Sequence, residues 1–307
     1  MEPIKERTTC SNCPVQTCSA KERRQSETQE QFRQRQALQE RLCRIKHKIL
    51  VVSGKGGVGK TTVAVNLAVA LSLKERKVGL LDIDIHGPDV PKMLGVEGRK
   101  VTGASSSANS VQPTTLNPYR YSENLEVMSI SFLLRDADSA VIWRGPLKSA
   151  IVRQFLKDVE WGELDYLIID APPGTGDEIL SICQLLERPD GAVVVTTPQE
   201  VSVLDVRKSI DFLRRLNVPV LGVVENMSGL TCPHCGKKID IFKSGGGEKL
   251  AGETNIPFLG RIPADPAVVE GSDSGYPIVV SKPDSSAAKQ FVEIADKILS
   301  QHAVPPR

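Results

Sequence analysis

The chain has 307 residues, 40% of them hydrophobic and 25% charged, with a formal net charge of +2. That length suits one α/β domain of about 250 residues plus an extension, and so balanced a charge gives no reason to expect nucleic acid or an anionic membrane as the main partner. No apolar run approaches the roughly 18 residues of a membrane-spanning helix and the polar start has no signal-peptide core, so a cytoplasmic protein is expected, its seven cysteines metal ligands or core thiols rather than disulfides.

Residues 1–45 read as a helical and irregular extension. Cys10, Cys13 and Cys18 follow C-x2-C-x4-C within nine residues, among turn-forming neighbours. Thiols at that density suit a metal centre, which needs a fourth ligand from Cys43, another chain or a small thiol; the plain alternative is an unligated tail. Residues 20–46 are rich in Gln, Arg and Glu, with only Phe32, Leu38, Leu42 and Ile45 as an apolar seam. They read as a solvent-exposed helix.

Residues 46–303 read as a P-loop ATPase domain. The apolar run Ile49–Val52 is a strand, and residues 61–74 are a helix. Between them lies Ser53-Gly54-Lys55-Gly56-Gly57-Val58-Gly59-Lys60-Thr61-Thr62, which contains G-x-x-x-x-G-K-[ST] in that strand-to-helix context. Glycines let backbone N–H groups turn toward phosphate oxygens; Lys60 would reach the β- and γ-phosphates and Thr61 would place its hydroxyl on Mg²⁺. Lys55 is a second cation in an already positive loop. It would lie on the same nucleotide or on one held by another subunit.

Further strands are expected at Val78–Asp82, Leu125–Ile130, Tyr166–Asp170, Gly191–Val195, Val220–Val224 and Phe258–Gly260, with helices at Lys148–Val159 and Ser286–Leu299 and a polar loop over 102–115. Short apolar strands alternating with helices give an α/β fold: a doubly wound, mostly parallel sheet with helices on both faces. Ligands then sit at the carboxyl ends of the strands. Asp82, Asp84 and Asp170 fall there. A lone strand-end Asp usually caps a helix or holds a loop; beside a P-loop, Asp170 reads as the Mg²⁺-holding carboxylate and Asp84 as the group that orients the attacking water. Asp170–Asp177, with two prolines and two glycines, reads as a γ-phosphate-sensing switch. Asn226 would read an adenine edge and Pro263 would supply a shelf for the ring, so the nucleotide is expected to be ATP.

Thr231-Cys232-Pro233-His234-Cys235-Gly236 is a turn that points two thiolates at one metal. Two ligands are half a site, and a homodimer supplies 2 + 2 cysteines, for zinc or an iron–sulfur cluster. A redox disulfide is the remaining option. Cys183 reads as a core thiol.

Ser53–Thr62, Asp82–Pro88, Ile142–Pro146, Asp170–Asp177, Glu225–Ser228 and Cys232–Cys235 occur in this order. The loop alone resembles the deviant P-loop ATPases, in which the residue matching Lys55 reaches the partner's phosphates across a two-fold dimer. The whole set, over roughly residues 46–300, resembles the Mrp/ApbC family of P-loop iron–sulfur cluster carriers. That resemblance implies a labile [4Fe-4S] cluster held between subunits by Cys232 and Cys235, transfer to apo iron–sulfur proteins, and slow ATP hydrolysis by Lys55, Lys60, Thr61, Asp84 and Asp170. The N-terminal cysteines resemble those of the cytosolic scaffold branch, which has four, the first well upstream; here there are three. The rival readings are a ParA/MinD-type positioning ATPase, for which the two-cysteine turn has no use, and a zinc-stabilised metallochaperone or regulator.

Overall fold

Runs of Val, Ile and Leu too short for helices form strands buried on both faces. In the computed structural model, which describes residues 19–84, 87–101, 116–133, 152–153, 155–187, 189–231, 235, 237–239 and 243–303, the strands are β1 (Ile45–Ser53), β2 (Val78–Asp82), β3 (Tyr119–Ser122), β4 (Leu125–Ser129), β5 (Leu164–Asp170), β6 (Gly191–Thr196), β7 (Val220–Glu225), β8 (Leu230–Thr231), β9 (Lys238–Ile239) and β10 (Phe258–Arg261), of which β2, β5 and β6 are the apolar runs buried on both faces. Eight of them make one sheet in the order β10-β7-β6-β1-β5-β2-β4-β3, parallel throughout except where β3 pairs antiparallel with β4. β8 and β9 form a separate antiparallel hairpin.

The main helices are α1 (Gln29–Leu42), α2 (Lys60–Leu73), α3 (Asp177–Leu186), α4 (Glu200–Arg215), α5 (Gly246–Thr254), α6 (Pro266–Ser274) and α7 (Ser286–His302). From β1 the chain crosses one way to β2 through α2; from β5 it crosses the other way through α3 and α4. Right-handed crossovers in opposite directions put α2 on one face and α3 and α4 on the other. The reversal opens a crevice at the carboxyl ends of the central strands, where such sheets bind ligands.

α2 is apolar all round, and every residue from Val63 to Ser72 is buried. A helix of that kind must be covered on both sides; the sheet covers one, and α7 lies over the other with Phe291, Ile294, Ala295 and Ile298 inward at i, i+3, i+4, i+7. The apolar stripe of the last helix is therefore used in packing.

The N-terminal helix is less exposed than its composition suggests. Thr28 and Gln31 form a capping box, Leu38 and Leu42 join the main core, and Arg35 makes a two-pronged contact with Glu27. Arg24 pairs with Glu187 at the far end of α3. A thin seam suffices because its leucines find a large core to enter. The expected loop over 102–115, the segment Ile142–Pro146 and most of the expected helix start lie outside the described residues, although 155–158 is helical. The patterns of α3, α4, α5, α6, β3 and the β8–β9 hairpin were not picked out in the sequence.

Candidate nucleotide site and cysteine hairpin

The P-loop begins where β1 ends and turns the chain into α2. Two of its glycines are required by close approach. Gly54 lies against the backbone of Asp205 and Val206 in α4, where a Cβ would overlap it. Gly59 has φ +78°, and a Cβ there would strike the Asn226 amide. No side chain caps the N-terminus of α2, so its first N–H groups remain to face an anion.

Lys60 is buried, with Nζ 2.6 Å from Asp170 Oδ1 and 3.3 Å from Asp84 Oδ2. Burial alone would push its pKa down, but the charges of Asp170 and Asp84 hold it above the usual lysine value. Thr61 Oγ1 donates to Asp170 Oδ2 at 2.7 Å. Burial pushes the Asp170 carboxyl up and the Lys60 ammonium pulls it back; both its oxygens accept, as a carboxylate's do. The structure thus brings Lys60, Thr61, Asp84 and Asp170 together. Hydroxyl and carboxylate oxygens are the donors Mg²⁺ prefers, so Thr61 and Asp170 fit that ion, which when bound neutralises charge on the phosphates.

Asp82 faces elsewhere. Ser129 Oγ donates to it at 2.8 Å, as does the Asp84 backbone N–H at 3.2 Å. Burial, then the nearby Asp170 charge, raise its pKa well above the usual carboxylate range. It is a buried support for the strand ends. The segment after Asp170 is tied to the end of β1, where the loop begins: Ala171 N donates to Val51 O and Gly174 N to Ser53 O.

Lys55 is half-buried beside Gly56, Gly57, Val58, Thr197, Gln199 and Met227 around a cleft of about 210 Å³. Its ammonium has no ion-pair partner among the described residues. On α4 nearby, Val201 and Leu204 are 66% and 59% exposed.

Asn226 does something the sequence reading did not anticipate. Its Nδ2 donates to Val58 O at 2.9 Å in a buried contact, so the amide expected at an adenine edge is engaged with the P-loop itself. Thr62 lies in the first turn of α2, where its carbonyl accepts from Asn66. Pro263 follows β10, half-buried, between Ile262 and Ala264, whose backbones bond to Ser228 and Gly229. Glu225 was also missed. It closes an apolar strand as Asp82 and Asp170 do, and that was the available signal. Its fully buried carboxylate accepts from Ser228 Oγ, from Gly245 N and Gly247 N at the start of α5, and from Arg261 Nε. Burial would raise its pKa; these donors bring it below the usual value.

Cys235 is exposed within the interval bracketed by β8 and β9. Cys232, Cys10, Cys13 and Cys18 lie outside the described residues. Cys183 is buried, its thiol pushed up to about 11 by desolvation, as a core cysteine's should be. Cys43 is exposed just past α1.

A family profile described as NUBPL iron-transfer P-loop NTPase, of the ParA group, matches residues 44–299. The chain belongs to this family. An iron–sulfur cluster carrier protein of Methanocaldococcus jannaschii is 50% identical over 294 residues, 95% of this chain and 96% of that one. The cytosolic Fe-S cluster assembly factor CFD1 of Kluyveromyces lactis is 51% identical over 268 residues, 85% of this chain and 93% of its own length. Among solved structures, a nucleotide-binding protein from Archaeoglobus fulgidus in complex with ADP is 40% identical with a TM-score of 0.67, covering 78% of this chain and 91% of that one. The cell division ATPase MinD of Pyrococcus furiosus is 30% identical with a TM-score of 0.59, covering 83% and 99%. Membership in an NTPase family accords with the Lys60, Thr61 and Asp170 geometry.

Proposed function

We propose that this protein is an ATP-hydrolysing carrier that holds an iron–sulfur cluster between two copies of itself and passes it to apo-proteins. One observation carries the reading: the segment that touches the P-loop through Asn226 runs within five residues into a hairpin bearing an exposed thiol, Cys235. Neither half alone requires a cluster; together they join a thiol-bearing turn to a nucleotide site through one short stretch of chain.

In this reading Lys60 and the loop N–H groups bind the β- and γ-phosphates of ATP, and Thr61 and Asp170 hold Mg²⁺. Asp84 orients the water that attacks the γ-phosphorus. Lys55, with no carboxylate of its own, reaches the partner's phosphates, and the exposed Val201 and Leu204 beside it join the contact between copies. Cys232 and Cys235 of both copies then supply four thiolates to a [4Fe-4S] cluster, the cargo. Cys10, Cys13 and Cys18 would hold a second centre once Cys43, another chain or a small thiol supplies its fourth ligand. The protein works in the cytoplasm, slow hydrolysis is coupled to loading or transfer, and neither nucleic acid nor membrane is a partner. Relatives named as cluster carriers support this reading. The positioning-ATPase alternative asks the last helix to lie on a membrane, whereas α7 spends its apolar face on α2.

Anaerobic reconstitution with iron and sulfide tests the proposal. The wild type should gain the broad absorbance near ~400 nm of an iron–sulfur centre and elute as a dimer. Cys232→Ala with Cys235→Ala should lose the bridging share of that absorbance. A wild type that takes up zinc but no cluster would sink it.

A further inference from the structure

The six residues after β7 make bonds in two directions. Toward the nucleotide, Asn226 Nδ2 holds Val58 O, and Met227 lines the Lys55 cleft. Met227 does so at φ +56°, a left-handed conformation that a residue with a Cβ adopts only when its surroundings enforce it. Toward the cysteines, Ser228 N donates to Ile262 O and Ala264 N to Gly229 O, and Leu230 bridges to Ala264, so the base of the β8–β9 hairpin is stitched to the segment after β10. Glu225 sits at the root of both. Its buried carboxylate gathers Ser228, the N-terminus of α5 and Arg261, which is itself paired with Glu248 at 2.7 Å.

A slack connection between two sites needs none of this. A buried carboxylate with four donors around it and a strained residue in between describe a stiff element, and stiff packed elements pass a displacement on because they shift between discrete arrangements. We infer that residues 225–231 form a strap that carries nucleotide occupancy of the P-loop to the cysteine hairpin, with Glu225 as the positioning residue that locks it. A phosphate drawn into the loop re-aims the N–H groups on either side of Val58, and its carbonyl moves with them. Asn226 follows that carbonyl, and the hairpin follows Asn226 because Glu225 forbids the strap to bend. This rests on the proposed carrier function for its purpose, but the strap can be tested without a cluster.

The experiment uses the full-length, cluster-free protein. Cys235 is alkylated with iodoacetamide, with and without Mg²⁺ and a non-hydrolysable ATP analogue, and its labelling rate is read separately from Cys232 by peptide mass spectrometry. In the wild type the nucleotide should change that rate by about fivefold or more, the low end of typical coupling between sites. In Glu225→Gln, which keeps the shape but turns an amide N–H₂ toward donors, the ratio should fall toward one while nucleotide affinity stays near the wild-type value. Ser228→Ala, a milder change that keeps the chain foldable, should lower it part-way. A purely structural role for Glu225 would lower the melting temperature and leave the ratio intact. A folded variant of either kind that keeps the full wild-type ratio overturns the strap, as does a wild-type ratio of one. Failure to bind a cluster on reconstitution would instead sink the carrier proposal and leave this comparison standing.

Discussion

Lys60 and Lys55 are five residues apart and differ in every physical respect. Lys60 is 6% exposed and fixed by Asp170 and Asp84; Lys55 is half-buried and has no such partner among the described residues. Removing one member of a buried ion pair strands the other and costs about 3–5 kcal/mol. Lys60→Ala should therefore abolish hydrolysis and also lower the urea midpoint, because two buried carboxylates lose their cation. Lys55→Ala strands nothing. It should leave stability unchanged and nucleotide binding by calorimetry largely intact, while phosphate release falls; an equal loss of binding would place Lys55 on its own subunit's nucleotide. Lys60, Thr61, Asp84 and Asp170 could be read from the sequence because each sits at a strand end or in a contiguous motif. The Asn226–Val58 bond spans 168 positions, and no local pattern announces which side chain will meet the loop.

At the scale of elements, the two ends of the chain are held by different means. α7 buries a regular apolar stripe on α2, and that stripe was legible because its 3.6-residue period is local. α1 offers only Leu38 and Leu42 to the core, together with its capping box and the Arg35–Glu27 contact. Its composition is that of a solvated helix, and nothing local marks two leucines as core residues; the surface they enter is made by distant parts of the chain. Few contacts concentrate the energy. Leu38→Ala should cost about 2–5 kcal/mol, the range for a buried leucine truncated to alanine, against about 1 kcal/mol for Thr28→Ala, which removes the cap alone. Urea denaturation gives both values, and limited trypsin digestion should show earlier cutting at Arg33 and Arg41 in Leu38→Ala than in the wild type.

For the whole molecule, the closing contact is where the last helix meets the first strand. His302 at the end of α7 stacks on His47 of β1, centroids 4.1 Å apart and 15° from parallel, with Tyr166 of β5 against both. Burial lowers both imidazole pKa values. For His47 the Asp190 and Asp165 charges act against Lys48 and Lys46; for His302, His47 adds to the lowering and Asp190 opposes it. A histidine whose folded pKa lies below its unfolded value of about 6.5 contributes its full stability above that value. As pH falls through about 6.5 toward the folded pKa, the unfolded chain takes up protons that the folded one refuses, and stability is lost. The raised carboxyl of Asp82 works in the opposite sense, since its folded form takes up a proton earlier than the unfolded one. The wild-type slope is therefore a sum, and a second protein isolates the imidazole part. His302→Phe keeps a ring to stack on His47 but cannot titrate. Between pH 7.5 and 5.5 the urea midpoint of the wild type should fall further than that of His302→Phe, and parallel slopes would show that the stack carries no pH dependence.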